Sequence, residues 1–422
     1  MNYFKILKNK IQNKSAKICI IGLGYVGFEI IKKLSSIGFN IIGIDIDKNK
    51  FKKIKKKKNI FLTTNYNYIT QADIIIIAVP TPLKKNLAPD ISYLKDVINA
   101  MRHKLKKGQL ISLESTVYPG TTENIFGKFL IKQKFKLSKD FFLVFSPERI
   151  SPELKVPDKS IKYTLTNTPK VCSGYSNNCG LLGKAFYKNI TTKVVMASDM
   201  KTAETSKMIE NVFRSINIAL VNELKMFLTK INIDIHEAID LAGTKPFGFT
   251  EFAPGPGYGG HCIPLDPFYL YWLAKKNNFD LKFIKLSGLI NRRITDWITN
   301  KVLKFIKIKK IKLPNKKILI LGVAYKKNID DIRESPALKI MEKLKMKGYN
   351  FDYSDPYVKK IVFNKKIKKS IKITKKILKK YPIILIVTDH TKFDYKLILK
   401  EAKFIFDTRN AVKNRSKNYF KL

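Results

Sequence analysis

The chain has 422 residues, enough for two or three domains that each bury a core. Its formal net charge of +49 comes from 74 lysines and only 8 arginines, with dense runs confined to Lys52–Lys58 and Lys365–Lys380. A nucleic-acid reader draws on arginine forks and a concentrated basic stripe, so this diffuse charge argues against a specific nucleic-acid partner while still favouring acidic small molecules.

Lys17–Ile21 reads as a short buried strand and runs directly into Gly22-Leu23-Gly24-Tyr25-Val26-Gly27. A helix to about Ser36 and a second strand, Asn40–Ile46, follow, with Asp45 near its end. Strand, G-x-G-x-x-G, helix, strand and an acidic residue about twenty positions on is the dinucleotide-binding order. Gly22 and Gly24 bring backbone onto a pyrophosphate at a helix N-terminus, Gly27 allows close helix–strand packing, and Asp45 accepts from the adenosine ribose, favouring NAD. Tyr25, Val26 and Lys50 are grouped with these cofactor-binding residues.

Further strands are expected at Ala72–Val79, Gln109–Leu113 and Phe141–Phe145. At their ends stand Val79-Pro80-Thr81-Pro82, Glu114–Thr122 and Phe145-Ser146-Pro147-Glu148-Arg149-Ile150. Thr81 and Thr116 are candidates to line the nicotinamide side. A long helix spans about Lys201–Lys230, on which Lys207, Asn211 and Arg214 share a face. Its apolar positions exceed what one domain would cover, which points to a second subunit.

Pro254–Pro267 is the most distinctive stretch: a glycine-rich loop ends at Cys262, and Asp266 follows four residues later. Such a loop presents N–H groups to an anion and favours a thiolate nucleophile. If Cys262 opens a helix, Asp266 lies one turn on, placed to hold a water against whatever the sulfur bonds. A second α/β half begins near Lys316, with strands at Lys317–Leu321, Tyr349–Tyr353, Ile383–Val387 and Phe404–Phe406. The expected fold class is α/β, two Rossmann-like parallel-sheet domains joined by a long central helix. The boundaries are 1–198 for the NAD-binding domain, 199–305 for a central helical domain carrying the nucleophile loop, and 306–422 for the C-terminal domain.

Four cysteines, Cys19, Cys172, Cys179 and Cys262, make neither a disulfide framework nor a zinc pattern, so no metal is expected. Met1–Lys17 lacks the apolar core of a signal peptide, and the longest apolar run, Ile74–Val79, is far short of a bilayer span. A cytoplasmic protein without membrane attachment is expected.

Taken together, Gly22–Gly27, Val79–Pro82, Ser115–Thr122, Pro147-Glu148, Lys207 with Asn211, Gly255–Asp266, Ala324–Lys326 and Arg333–Pro336 resemble the UDP-glucose/GDP-mannose dehydrogenase family nearly end to end. Glu114–Thr122, Ser146–Ile150 and Lys245–Phe249 most resemble its UDP-N-acetylglucosamine branch, with UDP-N-acetylmannosamine and UDP-glucose as alternatives and a non-catalytic nucleotide-sugar binder as a reading from another class. The resemblance implies two successive NAD-dependent oxidations of a UDP-sugar C6 alcohol to the uronic acid, for surface polysaccharide synthesis, through a Cys262 thiohemiacetal and thioester. It implies Lys207 as first base or oxyanion donor, Asn211 as second donor, and Asp266, Thr116 and Glu148 as water-ordering groups. Lys326 and Arg409 would meet the UDP end, Arg333 would reach NAD, and Arg149, Ile150, Arg214, Phe249 and Gly259 would contact substrate. His261 orients the loop. A homodimer or higher homo-oligomer is implied. Two departures stand out: a shortened, lysine-heavy Lys48–Thr70, expected to weaken NAD binding or remove a packing helix, and Glu153 where the branch often has glycine.

Overall fold

In the computed structural model, which describes residues 1–84, 86–149, 164–260, 262–412 and 416–422, the chain divides into two units. The first comprises Met1–Glu210 and Phe268–Asn278; the second comprises Asn211–Pro267 and Phe279–Leu422. Each is an α/β unit built on a largely parallel sheet, and the long helix α6 runs from one into the other.

The first unit carries strands β1 (Lys17–Ile21), β2 (Asn40–Ile44), β3 (Ile60–Thr63), β4 (Ile74–Ile77), β5 (Leu110–Leu113), β6 (Phe142–Phe145), β7 (Lys170–Gly174) and β8 (Val194–Met196). They lie in the order β3-β2-β1-β4-β5-β6-β7-β8, parallel except where β7 runs against β6. Every residue of β4, β5 and β6 is buried, which is why these strands read as continuous apolar runs: a parallel sheet is covered on both faces. The covering helices are α1 (Tyr3–Gln12), α2 (Tyr25–Ser36), α3 (Ser92–Met101), α4 (Lys128–Lys132) and α5 (Asn177–Tyr187). The basic N-terminal segment is therefore structured. Asn2 caps α1, Leu7 and Ile11 enter the core, and Lys10 reaches Asp73 over 2.8 Å.

The segment after Asp45 forms a 3₁₀ turn at Lys48–Lys53, the edge strand β3 and a second 3₁₀ turn at Tyr66–Gln71. Strand β3 was not legible because it is only partly buried and lacks a clear alternation of apolar and polar residues.

Helix α6 (Met200–Leu228) is followed by α7 (Ile235–Ala242), α8 (Asp266–Lys276) and α9 (Lys282–Ile308). The second sheet contains β9 (Lys317–Leu321), β10 (Asn350–Ser354), β13 (Ile383–Ile386), β14 (Phe404–Asp407) and β15 (Tyr419–Lys421), all parallel in the order β10-β9-β13-β14-β15. A separate hairpin pairs β11 (Lys360–Phe363) with β12 (Lys366–Lys369). Helices α10 (Pro336–Met346), α11 (Lys375–Lys380) and α12 (Tyr395–Glu401) complete this unit. Ser335 caps α10, whose first residue is a proline that needs no N–H partner there.

Among the described residues, no helix is long and apolar enough to cross a membrane.

Candidate active site

The turn after β1 is shaped by contacts that a side chain would prevent. Gly22 has φ +94°, and a Cβ there would stand 2.6 Å from the Ala78 carbonyl oxygen. At Gly27 a Cβ would collide with the Gly22 carbonyl oxygen. Gly24 is the N-cap of α2, makes no side-chain cap, and among the described residues has nothing within 4 Å of its Cβ position. An uncapped helix N-terminus with open space before it fits a pyrophosphate.

Asp45 is buried and already satisfied within the chain. Its carboxylate accepts from Leu23 N (2.7 Å) and Asp47 N (2.9 Å) and is straddled by Lys50 Nζ at 3.0 and 2.8 Å. Lys50 thus returns from the segment after β2 to Asp45. Tyr25 is partly exposed at the start of α2, and Val26 is half-buried. Burial, followed by the charges of Glu29 and Glu148, pushes the Tyr25 hydroxyl up to about 12.

Thr81 and Thr116 come together: Thr81 Oγ1 donates to the Thr116 carbonyl over 2.6 Å. The Tyr269 hydroxyl of α8 donates to the Thr81 carbonyl. Glu148 belongs to a buried network that sequence reasoning missed. Lys170 Nζ lies 2.8 Å from Glu114 and 3.0 Å from Glu148, while Tyr187 Oη donates to Glu114 over 2.7 Å. The two carboxylates outweigh the desolvation of Lys170 and keep it protonated. Arg149, expected at the substrate, is held by Glu210 of α6 and by the Pro169 carbonyl at 3.1 Å. Glu204, also on α6, accepts from Gly120 N, Thr122 N and Thr122 Oγ1, fixing the loop after β5. Burial raises the Glu204 carboxyl to about 7. Lys207 is half-buried, one helical turn before Asn211.

In the second unit, Cys262 is exposed and opens a turn rather than a helix. Its carbonyl accepts from Asp266 N over 2.8 Å, and α8 begins at Asp266 itself. The expected one-turn separation is realised through that bond. Asp266 is buried and accepts from Asn211 Nδ2 over 2.6 Å.

The preceding loop is threaded through backbone-only space. A Cβ on Gly259 would stand 2.6 Å from Tyr325 Cβ, and Gly260, at φ +82°, faces the Tyr325 ring and donates to the Arg333 carbonyl over 2.9 Å. Asn222 of α6 and Asn291 of α9, both buried and both missed from sequence, anchor the loop's start. Asn222 Oδ1 accepts from Gly255 N (2.9 Å) and its Nδ2 donates to Asn291 (3.0 Å). Isolated asparagines carry no spacing signal that could have revealed them.

Arg409 is half-buried beside Gly255 and donates to the Val387 carbonyl over 3.0 Å. Burial, then Lys327 and Arg409, lower the Lys326 ammonium to about 8. Arg333 pairs with Asp331 over 2.6 Å; Arg214 and Phe249 are exposed. Ile150, Glu153 and His261 lie outside the described residues. Cys19, Cys172 and Cys179 are buried, and among the described residues no group of three His, Cys, Asp or Glu could hold a metal ion.

Three models of one family match nearly the whole chain: the NAD-binding domain of the UDP-glucose/GDP-mannose dehydrogenase family over 16–191, its central domain over 201–293, and its UDP-binding domain over 319–414. The chain is similar to a UDP-N-acetyl-D-mannosamine dehydrogenase of Methanocaldococcus jannaschii, 32% identical over 97% of this chain and 95% of the relative. One from Campylobacter jejuni is 32% identical over 90% and 97% respectively. Among solved structures, a UDP-D-ManNAc dehydrogenase from Pyrococcus horikoshii superposes with a TM-score of 0.84 at 28% identity, covering 96% of this chain and 98% of that one. These relatives overturn the placement beside the UDP-N-acetylglucosamine branch. The two sugars differ only in configuration at C2, a single stereocentre that likeness of short motifs does not resolve.

Proposed function

The chain belongs to the UDP-glucose/GDP-mannose dehydrogenase family and is an NAD-dependent UDP-sugar dehydrogenase, and we propose that its substrate is UDP-N-acetyl-D-mannosamine, oxidised at C6 to the uronic acid. The names carried by its relatives support this sugar. The single structural observation that carries the reaction is the turn from Cys262 to Asp266, clamped by Asn211. It joins a nucleophile, a buried carboxylate and an amide donor in one short constellation.

Gly22, Gly24, Tyr25, Val26, Gly27, Asp45, Lys50 and Thr81 hold the cofactor, and Arg333 reaches it. Lys50 withdraws from Asp45 so that the carboxylate can accept from the ribose. Bound NAD+ supplies the hydride acceptor for each of two oxidations. Lys207 takes the hydroxyl proton of the C6 alcohol, and Asn211 donates to the oxygen as charge develops there.

At the aldehyde stage Cys262 Sγ bonds C6 as the carbonyl π bond opens, giving a thiohemiacetal that keeps the aldehyde on the enzyme. After the second oxidation the acyl carbon remains on sulfur. Asp266, with Thr116 and Glu148, orders and deprotonates the water that attacks it. The S–C6 bond then breaks, releasing carboxylate and returning the thiolate, which takes back a proton. Lys326 and Arg409 bind the diphosphate end, and Arg149, Arg214, Phe249 and Gly259 shape the rest of the substrate site.

We assign 1–198 to cofactor binding, 199–305 to the central domain and 306–422 to UDP binding, and place the enzyme in the cytoplasm, where it supplies surface polysaccharide synthesis. The outward stripe Ile209, Phe213, Leu220, Leu224 and Phe227 on α6 is 39–58% exposed and supports a homodimer.

Absorbance at 340 nm with UDP-N-acetylmannosamine tests the reading. Two NADH per sugar, lost in Cys262→Ser, are expected. Faster turnover of UDP-N-acetylglucosamine or UDP-glucose would reassign the substrate.

A further inference from the structure

Helix α6 also carries a buried lysine, in a place the dehydrogenase chemistry does not use. Lys225 is 3% exposed, and among the described residues its Nζ has no hydrogen-bond partner. Nearby on α7, His236 is buried, and its Nε2 likewise has no partner among the described residues. Both line a surface cavity of about 300 Å³ together with Asp234, Tyr419 and Lys421. The carboxylate on its wall, Asp234, is already committed: it pairs with Lys421 over 2.6 Å and accepts from His236 N over 3.1 Å. Beyond the wall, Asp407 accepts from Tyr419 Oη (2.7 Å) and from the backbone N–H groups of Arg409 and Ala411, each at 2.7 Å. Among the described residues the Lys225 amine thus has no dedicated anionic partner, in a place where an unpaired charge is costly.

We propose that this cavity binds a small tetrahedral oxyanion of the phosphate class, paired to Lys225 and Lys421 and hydrogen-bonded by His236 Nε2–H. The flexible lysine stem lets Nζ turn to the anion, and the neutral imidazole supplies a donor without adding charge. Burial is the main cause that lowers the Lys225 ammonium to about 7, with Arg409 and Lys421 acting in the same direction against Asp407 and Asp234. It also lowers His236 to about 4, helped by Lys225 and Lys421 and opposed by Asp234 and Asp240. An anion reverses the penalty on Lys225, so binding takes up a proton and tightens as pH falls through 7.

Sulfate is the probe, because its charge is constant between pH 6.5 and 8.5. The full chain is titrated calorimetrically with sodium sulfate at both pH values, with and without saturating UDP. One sulfate per chain is expected in the presence of UDP, binding at least tenfold more weakly at pH 8.5. Lys225→Met, whose apolar stem fills the same buried space and whose fold is checked by thermal melting, is expected to lose at least tenfold in affinity, and His236→Phe several-fold. Absence of sulfate binding once UDP is bound, or equal binding by Lys225→Met, overturns the proposal. Displacement by glucose 1-phosphate assigns the site to a phosphate ester; sulfate retained against it assigns the free ion. None of these readings requires turnover, so a failure here is separate from a failure of the dehydrogenase assignment.

Discussion

Asn211 Nδ2 donates to Asp266 Oδ2 over 2.6 Å, with both side chains buried, and this bond orients the carboxylate that stands a single turn beyond Cys262. The amide needs a carboxylate or carbonyl oxygen there, and the reaction needs a base. Asp266→Asn keeps the first and removes the second. It is expected to leave the melting temperature within about 2 °C while lowering kcat by about 10²–10³-fold. Intact-mass measurement should find an acyl adduct on Cys262, and its absence would move the water-activating role elsewhere.

Lys170 compensates two buried carboxylates, Glu114 and Glu148. Lys170→Met leaves both without their cation and is expected to cost about 3–5 kcal/mol in urea unfolding. Glu148→Gln should cost less, because Glu114 retains its bond from Tyr187 and its pair with Lys170.

Gly22→Ala places a methyl 2.6 Å from the Ala78 oxygen at a φ of +94°. About 1–3 kcal/mol of strain is expected, and since the loop is the proposed pyrophosphate cradle, NAD+ affinity should fall at least about tenfold. Calorimetric titration with NAD+ checks this directly.

Lys225 makes stability depend on pH. Its folded value of about 7 lies well below the ordinary 10.5, so between those values the unfolded chain binds the extra proton and unfolding becomes harder as pH rises. The wild type is expected to gain on the order of 2–4 kcal/mol from pH 7 to 10 relative to Lys225→Met, in the absence of added anion. His236, lowered from 6.5 to about 4, gives a further loss as pH falls from 6.5 toward 4. Urea unfolding across pH measures both, and parallel curves for wild type and Lys225→Met would refute the first.

The residues themselves determined the local parts of this protein. Lys17–Ile21 followed by Gly22–Gly27 specifies strand, turn and helix, because glycine spacing and apolar runs act over a few residues, and Cys262 and Asp266 are linked by a bond within one turn. The tertiary structure alone decided which distant groups meet. Lys170 looks like any of the many lysines until β7 brings it between Glu114 and Glu148, and Glu204 becomes a loop anchor only where α6 meets the segment 120–122. Asn222 and Asn291, 69 residues apart, join to hold the start of the glycine-rich loop at Gly255. Lys225 gained its meaning from burial. A side chain's charge state and partners depend on the dielectric and the neighbours that folding supplies, and neither is written in the spacing of residues along the chain.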